Sequence, residues 1–154
     1  MNLNLVSRDD FAIKASNFDI TDGHVLARMA CGVFMIPHAL GKFANWAPAA
    51  GTVGFFDKVG FHPAELWVWV AGGSELAFSI LLILGICTRW AALGLASVMA
   101  VAAYSLFALK GFVWMANKGG FEYASFIGVM LVAIALVEFR RKPLFVAGPV
   151  PRAV

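Results

Sequence analysis

Apolar residues run along this chain in four long blocks, separated by short polar or glycine-rich stretches. The blocks extend from about Val25 to Phe43, Glu65 to Cys87, Trp90 to Leu109 and Phe121 to Phe139. Each approaches the ~20 residues a helix needs to cross ~30 Å of hydrocarbon. A helix packed at a water interface shows a polar stripe at 3.6-residue spacing, whereas the third and fourth blocks are apolar almost all round. The pattern predicts an all-α fold, a transmembrane four-helix bundle spanning residues 25–139. Residues 1–24 precede it, and a basic tail, 140–154, follows it.

The connections differ in character. Thr88 and Arg89 are nearly all that separates the second and third blocks, so those helices form a tight antiparallel hairpin. Asn45 to Pro63 is rich in Gly, Pro and aromatic residues, which suits a loop at the membrane interface with Trp46, Phe55, Phe56 and Phe61 among headgroups. KGFVWMANKGG, Lys110 to Gly120, is similar in character. Pro63 and Glu65 suit the first turn of the second helix, where a missing N–H costs nothing and a carboxylate meets the positive end of the dipole. Within residues 1–24, Phe11, Ile13 and Phe18 offer apolar contacts for a short surface helix. No basic n-region leads directly into an apolar core and cleavage site, so the sequence reads as lacking a cleaved signal peptide.

Composition agrees with the block pattern: 61% of the 154 residues are hydrophobic and 14% charged, far from soluble usage. The length suits one domain. Charge placement sets an orientation. Arg8, Lys14, Arg89, Arg140, Arg141, Lys142 and Arg152 fall on one side of a four-span topology, against Lys42, Lys58, Lys110 and Lys118 on the other. The positive-inside rule then puts both termini in the cytoplasm. The net charge of +3 arises largely in the tail and signals topology, not nucleic-acid binding. Cys31 and Cys87 form no CxxC and read as small apolar packing residues.

Polar residues inside the spans carry the candidate chemistry. On a wheel of 100° per residue, Arg28, Cys31, Met35, His38 and Lys42 fall within roughly an 80° arc, one face of the first helix. That face must turn inward, because a charge facing lipid costs several kcal/mol. Pro37 removes the hydrogen bond to the Val33 carbonyl and predicts a kink there. The second helix carries Gly72, Glu75 and Ser79 on one arc, with Gly72-Gly73 admitting a close neighbour. The third supplies Ser97 and Tyr104. The fourth begins with Glu122 on the arc of Ser125. His38, Lys42, Glu75 and Glu122 thus share the half of the bundle away from the termini, as either a ligand pocket or a salt-bridge network fixing helix register. Haem ligation is disfavoured, since only His38 lies within a span at useful depth, and no metal-ligand spacing is present.

At these residues the chain resembles the DoxX family of small four-helix membrane proteins, from about Leu26 to Arg141. The resemblance rests on Arg28, on His38 with Lys42, on the GGSEL of Gly72 to Leu76, on the LGICTRWAAL of Leu84 to Leu93 and on the NKGGFEY of Asn117 to Tyr123. Ala39 departs from it, where the family usually has a glycine after the histidine. The resemblance implies a bundle with cytoplasmic ends in a bacterial inner membrane. Relatives are named as the small membrane subunit of thiosulfate:quinone oxidoreductase or as parts of other membrane redox assemblies, and a more distant relation reaches the membrane part of vitamin K-dependent carboxylase. A quinone-type ligand is the common thread.

The expectation is therefore a subunit of a quinone-linked oxidoreductase complex, with a partner protein supplying electrons, because the chain has no flavin, haem or iron–sulfur motif. His38 and Lys42 are the candidate head-group ligands and Glu75 and Glu122 the candidate proton acceptors, with Arg28 and Tyr104 as further candidates. Two alternatives stand beside it. One is a non-catalytic membrane anchor or assembly factor. The other is a small-solute or proton pathway through Glu75, for which the Gly and Ala faces of the second and third helices would permit a homo-oligomer.

Overall fold

A computed structural model describes residues 2–3, 5–142 and 145–146. Its four long helices are α1 (Gly23–Leu40), α3 (Ala64–Leu84), α4 (Thr88–Lys110) and α5 (Glu122–Arg141), with a shorter helix, α2 (Ala50–Val59), between the first two. The four are long and apolar enough to cross a membrane, as the block pattern predicts. Strand β1 (Asn2–Leu3) pairs antiparallel with β4 (Phe145–Val146), which brings the two ends of the chain together. The remainder of the basic tail beyond Lys142, including Arg152, lies outside the described residues.

Each long helix buries one narrow face. In α1 it is Val25, Arg28, Cys31, Met35 and Ala39; in α3 it is Val68, Gly72, Glu75, Ser79 and Leu82. The spacing of three and four is that of one helical face. Gly32 lets these two helices meet: a Cβ there would stand 2.8 Å from the Ser79 carbonyl oxygen and from Ile83. Gly72 likewise faces the Phe43 ring, whereas Gly73 has nothing near it and points outward. Helices α4 and α5 pack through Ala91, Ala92, Leu95 and Met99 against Ala124, Ile127, Leu131 and Ile134. Small residues permit that approach in an environment where lipid tails are as apolar as the side chains. Helix α1 runs unbroken through Pro37, which falls in its last turn, and ends at Leu40.

The first connection differs from the expected loop. Residues Phe43–Ala44 (β2) and Ala47–Pro48 (β3) form a small hairpin, with Asn45 and Trp46 both at positive φ, +50° and +63°. That is the twist of a type I′ turn. It leaves Trp46 at the tip, 93% exposed. Helix α2 then lies against α3 and α4. Gly51 and Gly54 hide it in sequence by lowering helix propensity. Its end is well marked: Gly60 is left-handed, its N–H donates to Asp57 and the N–H of Phe61 to Phe56, a Schellman closure.

The far end of the bundle is closed by residues 5–22. These form two 3-10 turns, Arg8–Phe11 and Ala15–Phe18, in place of a surface helix. Asn17 of this segment and Arg28 of α1 help complete the C-terminus of α3, whose last four carbonyls have no partner within the helix. Leu81 and Leu82 accept from the N–H groups of Ile86 and Gly85, Leu82 and Ile83 accept from the Arg28 guanidinium, and Leu84 accepts from Asn17 Nδ2 at 2.9 Å. Arg28 also donates to the Asn17 carbonyl. Nearby, Asp10 is 2% exposed and receives Lys142 Nζ at 2.7 Å and the Ser7 N–H at 2.7 Å, with Arg89 3.6 Å away. Arg89 is itself buried and donates to the carbonyls of Leu5 and Lys142, so this residue ties the turn to both ends of the chain.

Candidate functional site

Glu75 sits in the middle of α3 on its buried face and is 2% exposed. An ionised carboxylate in that position requires a partner. Lys42 provides it. Just beyond the end of α1, its ammonium lies 2.5 Å from Glu75 Oε2 and 3.3 Å from the His38 carbonyl oxygen. The pair therefore links the end of one helix to the centre of another.

This ion pair forms part of the wall of a cavity of about 720 Å³ between α2, α3 and α4. Phe55 and Phe56 of α2, Phe61, Trp67 and Val70 at the start of α3, and Val98, Val101 and Leu106 of α4 make most of the rest. Its polar atoms are few: Lys42, Glu75, Thr52, Ser74, Ser97 and Ser105 are the lining residues with polar side-chain groups besides Trp67. The three serines hydrogen-bond to carbonyls of their own helices, Ser74 to Ala71, Ser97 to Leu93 and Ser105 to Val101. A mostly apolar chamber of this size with a few convergent polar groups is the usual form of a small-molecule site.

The other sequence-derived candidates fall elsewhere. His38 stacks on Tyr123, ring centroids 4.4 Å apart, and offers only its backbone carbonyl to Lys42. Its ring is absent from the cavity wall because the arc that buries Met35 and Ala39 carries residue 38 to its edge. Glu122 accepts the Ala116 N–H at 3.1 Å and so closes the connection before its own helix. Tyr104 is 67% exposed on the outer face of α4. Arg28 stands at the opposite end of the bundle, capping α3. Of the six candidates, Lys42 and Glu75 alone meet side chain to side chain. Tyr123, whose hydroxyl donates to the Phe34 carbonyl at 3.3 Å, is the neighbour of His38 that sequence reasoning missed. The aromatic wall from α2 was also missed, although Thr52, Phe55 and Phe56 at i, i+3 and i+4 mark a helical face.

At the closed end a second polar cluster has a structural character. His24 Nε2 lies 2.8 Å from Glu138, and Arg141 bridges to Asp22 at 3.4 Å. Burial would push the Asp10 carboxyl up, but hydrogen bonds from Lys142 and Ser7 and the charge of Lys142 outweigh it, and the net direction is down. Burial, followed by the charge of Asp10, pushes the Cys87 thiol up. Among the described residues no group of three or more His, Cys, Asp or Glu side chains could hold a metal ion.

Comparison with known proteins bears on α1, α2, α3 and nearly all of α4. The model of the DoxX family matches residues 23–108, which takes in Lys42, Glu75 and all four serine and threonine residues of the cavity. The NKGGFEY stretch lies beyond the match. No curated protein and no solved structure matches the chain. With more than half of its length matched, the chain belongs to the DoxX family.

Proposed function

We propose that this DoxX family protein is the membrane subunit of a quinone-linked oxidoreductase, taking a quinone-class ligand into the cavity between α2, α3 and α4. The single observation that carries the reading is a chamber of about 720 Å³ walled by aromatic and aliphatic side chains, with a buried ion pair on one side. A ring with a lipophilic tail suits both parts of that wall. The head would approach Lys42 and Glu75, while the tail would run past Phe55, Phe56 and Phe61 towards the bilayer. Of the two candidate head-group ligands, His38 and Lys42, the wall of the chamber includes Lys42. Helix α2 covers the chamber from the side of the loops.

In this reading the termini face the cytoplasm of a bacterial cell, following the excess of Lys and Arg on that side. Electrons come from a partner protein. Protein purified from its native membranes into nanodiscs would be extracted with organic solvent and assayed for quinones. Retention of quinone by the wild type and its loss in Ala71→Phe, which fills the chamber, is the expected result. A quinone-free wild type sinks the proposal.

The runner-up, a non-catalytic anchor for a soluble enzyme, draws on the closed geometry of the Lys42–Glu75 pair, which satisfies both charges without a ligand. In that case Ala71→Phe leaves partner recruitment and partner activity unchanged.

A further inference from the structure

The hydrogen-bonding inventory of the chamber is lopsided, and that asymmetry discriminates between two redox forms of one ligand. We infer that the site prefers the reduced, donating form, a hydroquinone, over the quinone; this rests on the reading that the chamber takes a quinone-class ligand. A quinone presents two carbonyl oxygens, which only accept. A hydroquinone presents two hydroxyls, which donate and also accept.

The groups beside the ion pair are mainly acceptors. Ser74 and Ser97 have committed their hydroxyl protons to Ala71 and Leu93, at 3.0 and 2.9 Å, and offer the chamber lone pairs. Glu75 takes Lys42 on Oε2, and its second oxygen has no hydrogen bond among the described residues. An ammonium has three protons. Those of Lys42 already meet Glu75 and the His38 carbonyl, so one remains. The other uncommitted donors in the lining are Thr52 on α2 and Trp67 near the start of α3. Trp67 precedes Glu75 by eight residues on α3, a rise of about 12 Å. One ring cannot reach both levels.

A quinone beside the pair can take the remaining Lys42 proton and the Thr52 hydroxyl, but it leaves the second Glu75 oxygen without a donor and meets the Ser74 and Ser97 lone pairs with its own. A hydroquinone donates to Glu75 and to a serine oxygen, and accepts the remaining Lys42 proton. An acceptor left without a donor in an apolar chamber is the expensive case.

The test uses the full-length protein in nanodiscs and two probes that differ only in redox state, a decyl-substituted benzoquinone and its hydroquinone, titrated anaerobically by calorimetry. The expected result is roughly tenfold tighter hydroquinone binding. A redox titration of the bound couple would then show a midpoint about 30 mV above the free couple. Ser74→Ala/Ser97→Ala should remove most of the preference by weakening the hydroquinone and leaving the quinone unmoved. Equal affinities, or a tighter quinone, overturn the inference while leaving the quinone site standing. A preference that survives in the serine variant overturns the assignment to Ser74 and Ser97. If neither probe binds, the quinone site itself is refuted, and the inference with it.

Discussion

Replacing Lys42 by methionine isolates what the ion pair contributes. The substitution preserves most of the stem and removes the ammonium 2.5 Å from a carboxylate that is 2% exposed. Removing one member of a buried pair costs about 3–5 kcal/mol, chiefly because the other charge stays buried without a partner. The Lys42 side chain is 19% exposed against 2% for Glu75, so the two single variants should differ. Lys42→Met strands the deeper charge and belongs near the upper value. Glu75→Gln leaves an ammonium that keeps the His38 carbonyl and can extend towards the interface, which brings its cost to about 1–2 kcal/mol. The double variant should cost less than Lys42→Met alone, because an apolar or neutral pair is close to neutral against a buried ion pair. At about 2–4 °C per kcal/mol for a domain of this size, Lys42→Met lowers the melting temperature by roughly 10–20 °C. Thermal unfolding in one detergent, followed by circular dichroism and by tryptophan fluorescence, gives all four corners of the cycle. A coupling energy within about 0.5 kcal/mol of zero would refute the reasoning, since it would mean that water screens the pair.

Three further outcomes follow from the geometry. Arg28→Ala removes the guanidinium bonded to the Leu82, Ile83 and Asn17 carbonyls, and should cost about 3 kcal/mol or more in thermal unfolding, with Arg28→Lys recovering only part because an ammonium lacks the planar fork. Gly32→Val drives a side chain into the Ser79 carbonyl and Ile83, and should destabilise by about 1–3 kcal/mol in the same assay, whereas Gly73→Ala, with open space around it, should stay within about 0.5 kcal/mol. The Asp10 carboxyl titrates below its ordinary value of 3.8 when folded, so its contribution is present above that value and is lost as pH falls through the lower, folded one; the stability gap between wild type and Asp10→Asn should close on acidification, and a gap that widens below pH 4 would contradict the sign.

The fold was legible because lipid imposes it. Twenty apolar residues between turn-forming stretches admit few structures other than a spanning helix. The inward arcs of α1 and α3 were legible for the same reason and put Lys42 and Glu75 in one half of the bundle; the pairing between them came from the structure. What escaped the sequence lies where local preference is weak and tertiary contact decides. Helix α2 carries Gly51 and Gly54 and is held by its position against α3 and α4. His38 belongs to the polar arc by angle, but stands at its margin, where a shift of one neighbouring helix decides which way the ring turns. Arg28 read as a candidate ligand and Arg89 as part of a tight turn; their roles depend on carbonyls of Leu82, Ile83 and Leu5, which no side-chain pattern displays. Residues 5–22 were opaque because their fold follows from contacts far along the chain, Asn17 with Leu84 and Asp10 with Lys142.

The contacts of that segment also constrain how the protein is made. Asp10 and Lys142 are 132 positions apart, and Leu5 is joined to Arg89 from the turn between α3 and α4. A ribosome delivers Asp10 before any of the four helices and Lys142 after all of them. The base of the bundle is thus the last part to close, and it closes only around a complete set of inserted helices. Until then Asp10 lacks the Lys142 ammonium and Arg89 lacks the Lys142 carbonyl. A truncated or misthreaded chain would lack those contacts, which join residues 5–22 to the rest of the base in a finished one.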